Sequence, residues 1–189
     1  MDDSYLKEFS AVVIGVEGNA VELENTAFFP AGGGVPCDTG WIVKDGEKFD
    51  VVSVTKAEGK ILHHLAAHSL AAGDRITGIL DWDRRYALMR HHTAAHLLSS
   101  IFYNELGVLV TGNQLDVGKS RIDYSLETMD LSAVSRVFEK ANEYIREDRK
   151  VKAFYLPRAD ALKIPGVVKL AGALPPSVGE LRIVEIDGV

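Results

Sequence analysis

Cysteine is almost absent from this sequence, which contains only Cys37 in 189 residues. A single cysteine cannot form an internal disulfide, and its scarcity is typical of proteins from a reducing cytoplasm. The chain also lacks any run of about 18 consecutive apolar residues, so it contains no candidate transmembrane helix. Its acidic first residues, 1–4, are not followed by the apolar segment of a secretory signal. We therefore expect a cytoplasmic protein that does not use a membrane.

The sequence contains fewer basic residues than acidic residues. Lys and Arg total 21, Asp and Glu total 27, and the formal net charge is −6. This balance disfavours broad, non-specific binding to nucleic acid or to an anionic membrane, although it leaves room for a local basic groove. Hydrophobic residues make up 47% of the chain, which is enough for a sizeable core. The length allows one larger domain or two small ones.

Residues 10–82 are typical of a series of short β-strands. β-Branched or alternating segments end at turn sequences such as Glu17-Gly18-Asn19, Asp45-Gly46 and Glu58-Gly59. The predicted strands cover residues 11–16, 20–24, 41–43, 49–54, 60–65 and 75–82. Short strands at this spacing predict a small barrel, so we assign residues 1–83 to an N-terminal β-barrel domain.

A glycine-rich segment, residues 28–40, interrupts this series. It contains Gly32, Gly33 and Gly34 in succession. Glycines are useful where the backbone must approach a ligand closely or adopt positive φ, but a flexible loop is an equally good interpretation. The segment is not a phosphate-binding P-loop, because no Gly-Lys-Ser or Gly-Lys-Thr follows it.

From Asp83 the apolar residues recur with helical spacing. The pattern predicts a helix over residues 84–106, with Asp83 as its N-cap and Gly107 as its end. His92 and His96 are four residues apart on this helix, so they share a face. Two imidazoles in this arrangement can reach one cation at the bond length of about 2 Å that zinc prefers.

The histidine spacing alone has alternatives. His91 lies about 100° around the helix from His92, so it cannot join the pair at one centre. Thr93 follows the first histidine where zinc proteases of the zincin type need Glu, so that class is disfavoured. A buried or capping role for the pair remains open. His64 and His68 are also four apart, but in a strand their side chains would be about 13 Å apart.

The remaining sequence mixes helices and strands. Strands are predicted over residues 108–115, 120–124, 150–156 and 180–186, helices over 130–148 and 157–163, and a loop over 164–179. The fold class is therefore predicted as α+β, with residues 84–189 forming an α/β sandwich around an antiparallel or mixed sheet. Possible contacts to backbone phosphates are Arg84, Arg85, Arg90, Lys119, Arg121, Arg146, Arg149, Lys150 and Lys152, although for any single one of them a solvated surface position is the more common role.

Three motifs in succession resemble the AlaX family, free-standing relatives of the editing domain of alanyl-tRNA synthetase. They are the glycine-rich segment 29–40, the histidine segment 92–98, and residues 111–115 followed by 119–124. The closing segment 181–189 is similar as well. The resemblance covers nearly the whole chain, and the motifs are specific as a set although each is weak alone.

This resemblance implies an aminoacyl-tRNA hydrolase acting in trans, an enzyme that needs no ATP for hydrolysis. Its substrate would be tRNA(Ala) mischarged with serine or glycine, and residues 84–189 would be the editing (deacylase) domain. By the resemblance, His92 and His96 bind Zn²⁺, and Gly32, Gly33 and Gly34 line the substrate pocket. It also assigns substrate reading and catalysis to Thr111, Asn113 and Gln114, with Arg121 as a further substrate-binding residue.

The chain departs from the family pattern at two places. Val35 stands where the family usually has glutamine, which removes a polar group from the glycine-rich segment. The family's other two zinc ligands come from a Cys-x-x-x-His motif, which should follow soon after Gly188, and the sequence ends at Val189. Cys37 belongs to another motif and is a poor substitute. We therefore expect an editing domain that is incomplete at its C-terminus, truncated before two of four ligands.

Two other functions remain open. With half of its zinc ligands, the protein could be a module that binds the tRNA acceptor end without turnover. It could also be the related editing module of threonyl-tRNA synthetase, which shares the His-x-x-x-His helix. The glycine-rich segment in a preceding β region favours the alanyl branch.

Overall fold

The computed structural model describes residues 3–128, 130–164, 167 and 177–189 and confirms an α+β fold. The chain divides into two compact units. The first consists of residues 1–91 with 115–120, and the second of residues 92–114 with 121–189. Among the described residues, no helix is long and apolar enough to cross a membrane.

The first unit contains a closed antiparallel barrel of six strands, in the order β1-β2-β5-β4-β3-β6. The strands are β1 (Glu8–Glu17), β2 (Ala20–Leu23), β3 (Gly40–Lys44), β4 (Glu47–Ala57), β5 (Lys60–Leu65) and β6 (Arg75–Leu80). Alternate side chains point inward, and Val21, Phe28, Ile42 and Val54 are completely buried in the barrel core. The predicted barrel is confirmed, because period-two patterning of the sequence matches one buried face on each strand.

Helix α1 (Trp82–Leu106) follows β6 directly. Its N-cap is Asp81, because the Asp81 carboxylate accepts the Arg84 N–H at 3.2 Å and the Asp81 carbonyl accepts the Arg85 N–H at 3.0 Å. The prediction that Asp83 caps the helix is therefore wrong by two residues. Asp83 instead lies in the first turn, where a negative charge favours the helix dipole. The helix ends before Gly107, as predicted.

The second unit contains the rest of α1, a second long helix and two small antiparallel sheets. Its further elements are β7 (Val110–Gln114), β8 (Arg121–Tyr124), α2 (Leu131–Arg146), β9 (Val151–Pro157), α3 (Arg158–Ala161) and β10 (Glu180–Ile186). In the part of the chain that the structure describes, β7 pairs only with β8, and β9 only with β10. Most of the predicted loop, residues 165, 166 and 168–176, lies outside the described residues.

The core of the second unit lies between α1 and α2. Leu97, Ile101 and Phe102 of α1 pack in one cluster with Val137 and Ala141 of α2. As predicted from the sequence, Asp130 caps the N-terminus of α2, and its carboxylate accepts the N–H groups of Ser132 and Ala133. The cluster fixes the C-terminal half of α1, and the predicted histidine pair lies immediately before it in the helix.

Candidate functional site

In the first unit, the three consecutive glycines form the tip of a tight hairpin. Gly32 and Val35 exchange both backbone hydrogen bonds at 3.0 Å, and Gly33 and Gly34 occupy the two positions between them. Their φ values are +61° and +80°, a left-handed conformation that glycine adopts without steric cost. The sequence left open whether this segment is flexible, and the structure gives it a defined turn.

Backbone hydrogen bonds also join this hairpin to other segments of the first unit. The Ala31 N–H donates to the Val54 carbonyl of β4 at 3.1 Å, and the Leu115 N–H donates to the Gly34 carbonyl at 2.8 Å. Leu115 directly follows the predicted reader Gln114 in the sequence. The turn 115–120 thus contacts the hairpin tip and, through Ser120, helix α1.

Arg85 corrects one sequence-based expectation. Its predicted role as a possible phosphate contact is wrong, because the side chain is only 5% exposed and forms an ion pair with Asp38, which is 2% exposed. Arg84 is half-buried, and its guanidinium donates to the Cys37 carbonyl. Cys37 itself packs against the barrel core. The two arginines therefore bind the protein's own backbone and side chains.

In the second unit, His92 and His96 project from consecutive turns of α1 and converge. Their Nε2 atoms are 3.0 Å apart, and their ring centroids are 4.7 Å apart. Two nitrogens bound to one tetrahedral zinc at about 2.0–2.1 Å lie about 3.3 Å from each other. The pair therefore fits two ligand positions of a zinc ion after a shift of a few tenths of an ångström.

The histidine pair lies where the buried face of α1 opens to solvent. On this helix Ser99 and Phe102 are buried, Ala95 is half-buried, and His92 and His96 are exposed. Nevertheless, protein atoms around the His92 ring remove part of its hydration, and this desolvation lowers the pKa of His92. A lowered pKa favours the neutral imidazole, which is the form that binds a metal.

No third metal-binding side chain joins this pair among the residues that the structure describes, where groups of three or more His, Cys, Asp and Glu are absent. His91 Nδ1 lies 2.8 Å from the Ser120 hydroxyl, which agrees with its predicted exclusion from the centre. His64 and His68 are likewise engaged elsewhere, with the Thr55 hydroxyl and the Gly18 carbonyl. The pair therefore supplies two ligands, and the source of the others stays a prediction.

Strand β7 carries three of the predicted substrate-reading residues. A β-bulge at Thr111 interrupts its pairing with β8, and the Thr111 side chain is exposed. The Asn113 Oδ1 atom is buried and has no hydrogen-bond partner among the residues that the structure describes. Gln114 is exposed and lies opposite Arg121, whose guanidinium is 3.2 Å from the Asp123 carboxylate. Bulges such as the one at Thr111 commonly redirect side chains beside active sites. A buried acceptor without a partner, such as Asn113 Oδ1, is uncommon and can indicate a functional role.

Tyr124 attaches this strand pair to α1, a role that the sequence did not reveal. Its ring packs 4.3 Å from the Phe102 ring between centroids, and its hydroxyl lies 3.3 Å from the Ser99 hydroxyl. Burial raises the pKa of Tyr124, so the hydroxyl stays protonated. The second unit thus contains the histidine pair, Thr111, Asn113, Gln114 and Arg121, whereas Gly32, Gly33 and Gly34 belong to the first. The roles of these residues stay predictions.

Comparison with known proteins identifies the family. A family model described as tRNA synthetases class II (A) matches residues 4–84. Proteins named alanyl-tRNA editing protein AlaX-M from Saccharolobus solfataricus and Methanosarcina acetivorans are both 42% identical, over 100% and 99% of this chain and 80% of their own length. An alanine–tRNA ligase from Ignicoccus hospitalis is 40% identical over 99% of this chain and 21% of its own length. The chain belongs to the AlaX family of alanyl-tRNA editing proteins.

Proposed function

We propose that this protein hydrolyses the ester between serine, or glycine, and tRNA(Ala), and so removes a wrong amino acid before translation uses it. The observation that carries the proposal is the convergence of the His92 and His96 Nε2 atoms to 3.0 Å on α1. Two relatives that align with nearly the whole of this chain are named alanyl-tRNA editing proteins, which supports tRNA(Ala) as the substrate class.

His92 and His96 would hold a zinc ion through their Nε2 atoms. When bound, zinc supplies Lewis acidity that can activate water or orient the amino group of the substrate. The desolvation around His92 keeps its imidazole neutral and able to bind. In the hydrolysis, a water oxygen forms a bond to the aminoacyl carbonyl carbon, the ester C–O bond breaks, and the hydroxyl of the terminal adenosine leaves with a proton.

Asn113 would recognise the amino acid. Its buried Oδ1 can accept one hydrogen bond, from either the hydroxyl of serine or the ammonium group common to both substrates. Serine differs from alanine by one oxygen, and a site built to bond that oxygen rejects an analogue that lacks it. Thr111, at the bulge, and the exposed Gln114 would supply further contacts beside it.

The protein's acidic charge has a consequence for tRNA binding. With a net charge of −6, phosphate contacts must come from local groups such as the exposed Arg121, Lys119 and Lys150. Binding that depends on a few such contacts weakens as salt rises. We therefore expect modest affinity for uncharged tRNA and a measurable salt dependence.

The test is hydrolysis of serine from tRNA(Ala) by the 189-residue chain supplied with zinc. The proposal expects release of serine by the wild type, a strong reduction by His96→Ala, and slow or no hydrolysis of correctly charged Ala-tRNA(Ala). Binding of tRNA without hydrolysis would favour the alternative of an acceptor-end binding module. Faster hydrolysis of serine from tRNA(Thr) than from tRNA(Ala) would favour an editing module of the threonyl-tRNA synthetase type.

A further inference from the structure

The glycine hairpin, defined here as residues 29–38, is attached to the first turn of α1 by two adjacent arginines. The Arg84 guanidinium donates from Nε and Nη2 to the Cys37 carbonyl at 3.1 and 3.0 Å. The Arg85 guanidinium donates from Nε to the Asp38 carboxylate at 3.0 Å, and its Nη2 donates to the same group. Two consecutive residues of one helix thus bind two consecutive residues of the hairpin's exit.

Asp38 and Arg85 together also close the base of the hairpin. Asp38 Oδ2 accepts the Phe29 N–H at 2.6 Å, while the Asp38 N–H donates to the Phe29 carbonyl at 3.0 Å. Arg85 Nη2 further donates to the Ala27 carbonyl at 2.6 Å. The entry and exit of the hairpin are therefore joined through one buried ion pair. In this pair the Arg85 guanidinium donates two hydrogen bonds to one carboxylate, an arrangement that gives strong, directional bonds.

The tip of the hairpin needs such attachment. Gly33 and Gly34 lose more conformational freedom on ordering than any other residue type would, so their turn is inherently unfavourable to fix. The tip has its own backbone bonds to Val35 and Leu115, and the contacts of Arg84 and Arg85 hold the segment that leads away from it. Release of the exit would leave the tip free to sample other conformations.

We infer that Arg84 and Asp38 are positioning residues that hold the glycine hairpin in its substrate-binding conformation. The inference rests on the proposed function together with the family resemblance, by which Gly32, Gly33 and Gly34 would line the substrate pocket. Neither side chain needs to touch the substrate, because both act through the hairpin backbone. The assignment replaces the interpretation of Arg84 as a phosphate contact.

Arg84 offers the cleaner test of the two arginines. Arg85 is buried, and its removal would leave the Asp38 carboxylate buried without its cation, which destabilises the whole fold. Arg84 is half-buried and binds a neutral carbonyl, so Arg84→Ala leaves no buried charge. Arg84→Lys keeps a cation but loses the paired donors. Arg75→Ala removes an exposed arginine elsewhere in the barrel and is the matched control.

Cys37 reports directly on the hairpin because it is the sole cysteine of the chain. Its labelling rate with a thiol reagent such as dithiobis(nitrobenzoate) should rise about 5- to 10-fold in Arg84→Ala, rise less in Arg84→Lys, and stay unchanged in Arg75→Ala. Cys37 is half-buried and packs against the barrel core, so an increase reports greater exposure of its sulfur. An unchanged rate in Arg84→Ala would overturn the inference.

Deacylation kinetics separate positioning from simple destabilisation. If the hairpin binds the substrate, Arg84→Ala should raise KM several-fold with little change in kcat, and Arg84→Lys should restore part of the loss. Faster labelling with unchanged KM would also overturn the positioning role. A wild type that hydrolyses no mischarged tRNA would instead refute the proposed function, while the labelling rates would still decide whether Arg84 holds the hairpin.

Discussion

The Nε2 atoms of His92 and His96 lie 3.0 Å apart on consecutive turns of α1. Such a pair can either share a proton or bind one cation, and the lowered pKa of His92 favours the neutral His92 ring that a cation needs. This geometry makes the metal content of the protein its most informative property.

The purified chain is expected to bind zinc, and His92→Ala is expected to weaken that binding by about 100-fold or more. Loss of a group that merely orients a zinc ligand already costs about 10- to 100-fold in affinity, so loss of a ligand should cost at least as much. Elemental analysis and a competition titration with a chromophoric chelator measure both quantities. His64→Ala is the control, since His64 bonds Thr55 on the barrel. Equal zinc binding by the wild type and His92→Ala would contradict the site.

Asn113→Leu is expected to reduce deacylation without reducing stability. Within the described part of the chain the buried Oδ1 has no partner, so replacing the amide by an apolar group of similar size removes a desolvation cost of about 1–3 kcal/mol and should leave stability equal or higher. Loss of the substrate hydrogen bond should lower kcat/KM for serine about 10- to 100-fold. Urea unfolding and deacylation assays measure the two effects.

Asn142→Leu, on the exposed face of α2, serves as the control for Asn113→Leu, because it changes neither the strand nor the histidine pair. A fall in stability of more than about 2 kcal/mol in Asn113→Leu would mean that the amide has a partner in the folded protein. Full activity in that variant would remove Asn113 from substrate recognition.

Features that depend on local chemistry were predictable from the sequence. The barrel strands, the Asp130 cap of α2 and the end of α1 at Gly107 each follow from a few neighbouring residues. The histidine pair was predictable for the same reason, because a four-residue spacing on a helix determines which side chains meet. The cap of α1 was misplaced because Asp81 and Asp83 are both good N-cap residues, and only the backbone path after β6 selects Asp81.

Features that depend on contacts between distant segments were not predictable. Asp38 and Arg85 are separated by 47 residues, and nothing in their immediate sequence distinguishes Arg85 from an arginine on a solvated surface. The strand order of the barrel is set by which hydrophobic faces meet when the sheet closes. The unsatisfied Asn113 oxygen is a property of its surroundings, and Asn113 was identified only by the family resemblance.

Gly33→Ala is expected to destabilise the protein by about 1–2 kcal/mol, whereas Gly32→Ala is expected to be neutral or slightly stabilising. A Cβ added at Gly32 or at Gly33 would meet no atom within 4 Å, so steric clashes with neighbouring residues cannot explain a difference between the two variants. Gly33 has a φ of +61°, at which an alanine is strained, but Gly32 is not in the positive-φ region. Urea unfolding of the two variants measures the difference. Equal stabilities would mean that the tip does not hold its turn in solution.

The stability of the barrel is expected to fall as the pH drops below about 6.5, because His63 is buried in its neutral form. The side chain is 0% exposed, and burial lowers the pKa of His63. Its Nδ1 donates to the Val21 carbonyl at 3.0 Å, since that oxygen can only accept. Its Nε2 therefore accepts from the Thr26 hydroxyl at 2.8 Å, and the Thr26 oxygen accepts the Phe28 N–H. A protonated ring would have a donor at Nε2 as well, facing the Thr26 hydroxyl that donates to it, so only the neutral ring fits this network without rearrangement.

The direction of the pH effect follows from linkage. In the unfolded chain the His63 imidazole takes up a proton near its ordinary value of about 6.5, whereas the folded protein resists protonation until lower pH. The unfolded state thus binds more protons as the pH falls. The contribution of His63 is complete above a pH of about 6.5 and is lost as the pH drops. Urea midpoints at pH 7 and pH 5 should therefore differ, with the lower midpoint at pH 5.

His63→Gln isolates this contribution from the carboxylates that also titrate in acid. Glutamine can donate to Val21 and accept from Thr26 without a titrating proton, so this variant should lose about 1–3 kcal/mol at pH 7 and show a smaller decline from pH 7 to pH 5. The same substitution at His68, which bonds the Gly18 carbonyl near the surface, should keep the wild-type decline because His63 remains. An unchanged decline in His63→Gln would place the origin of the acid sensitivity elsewhere in the protein.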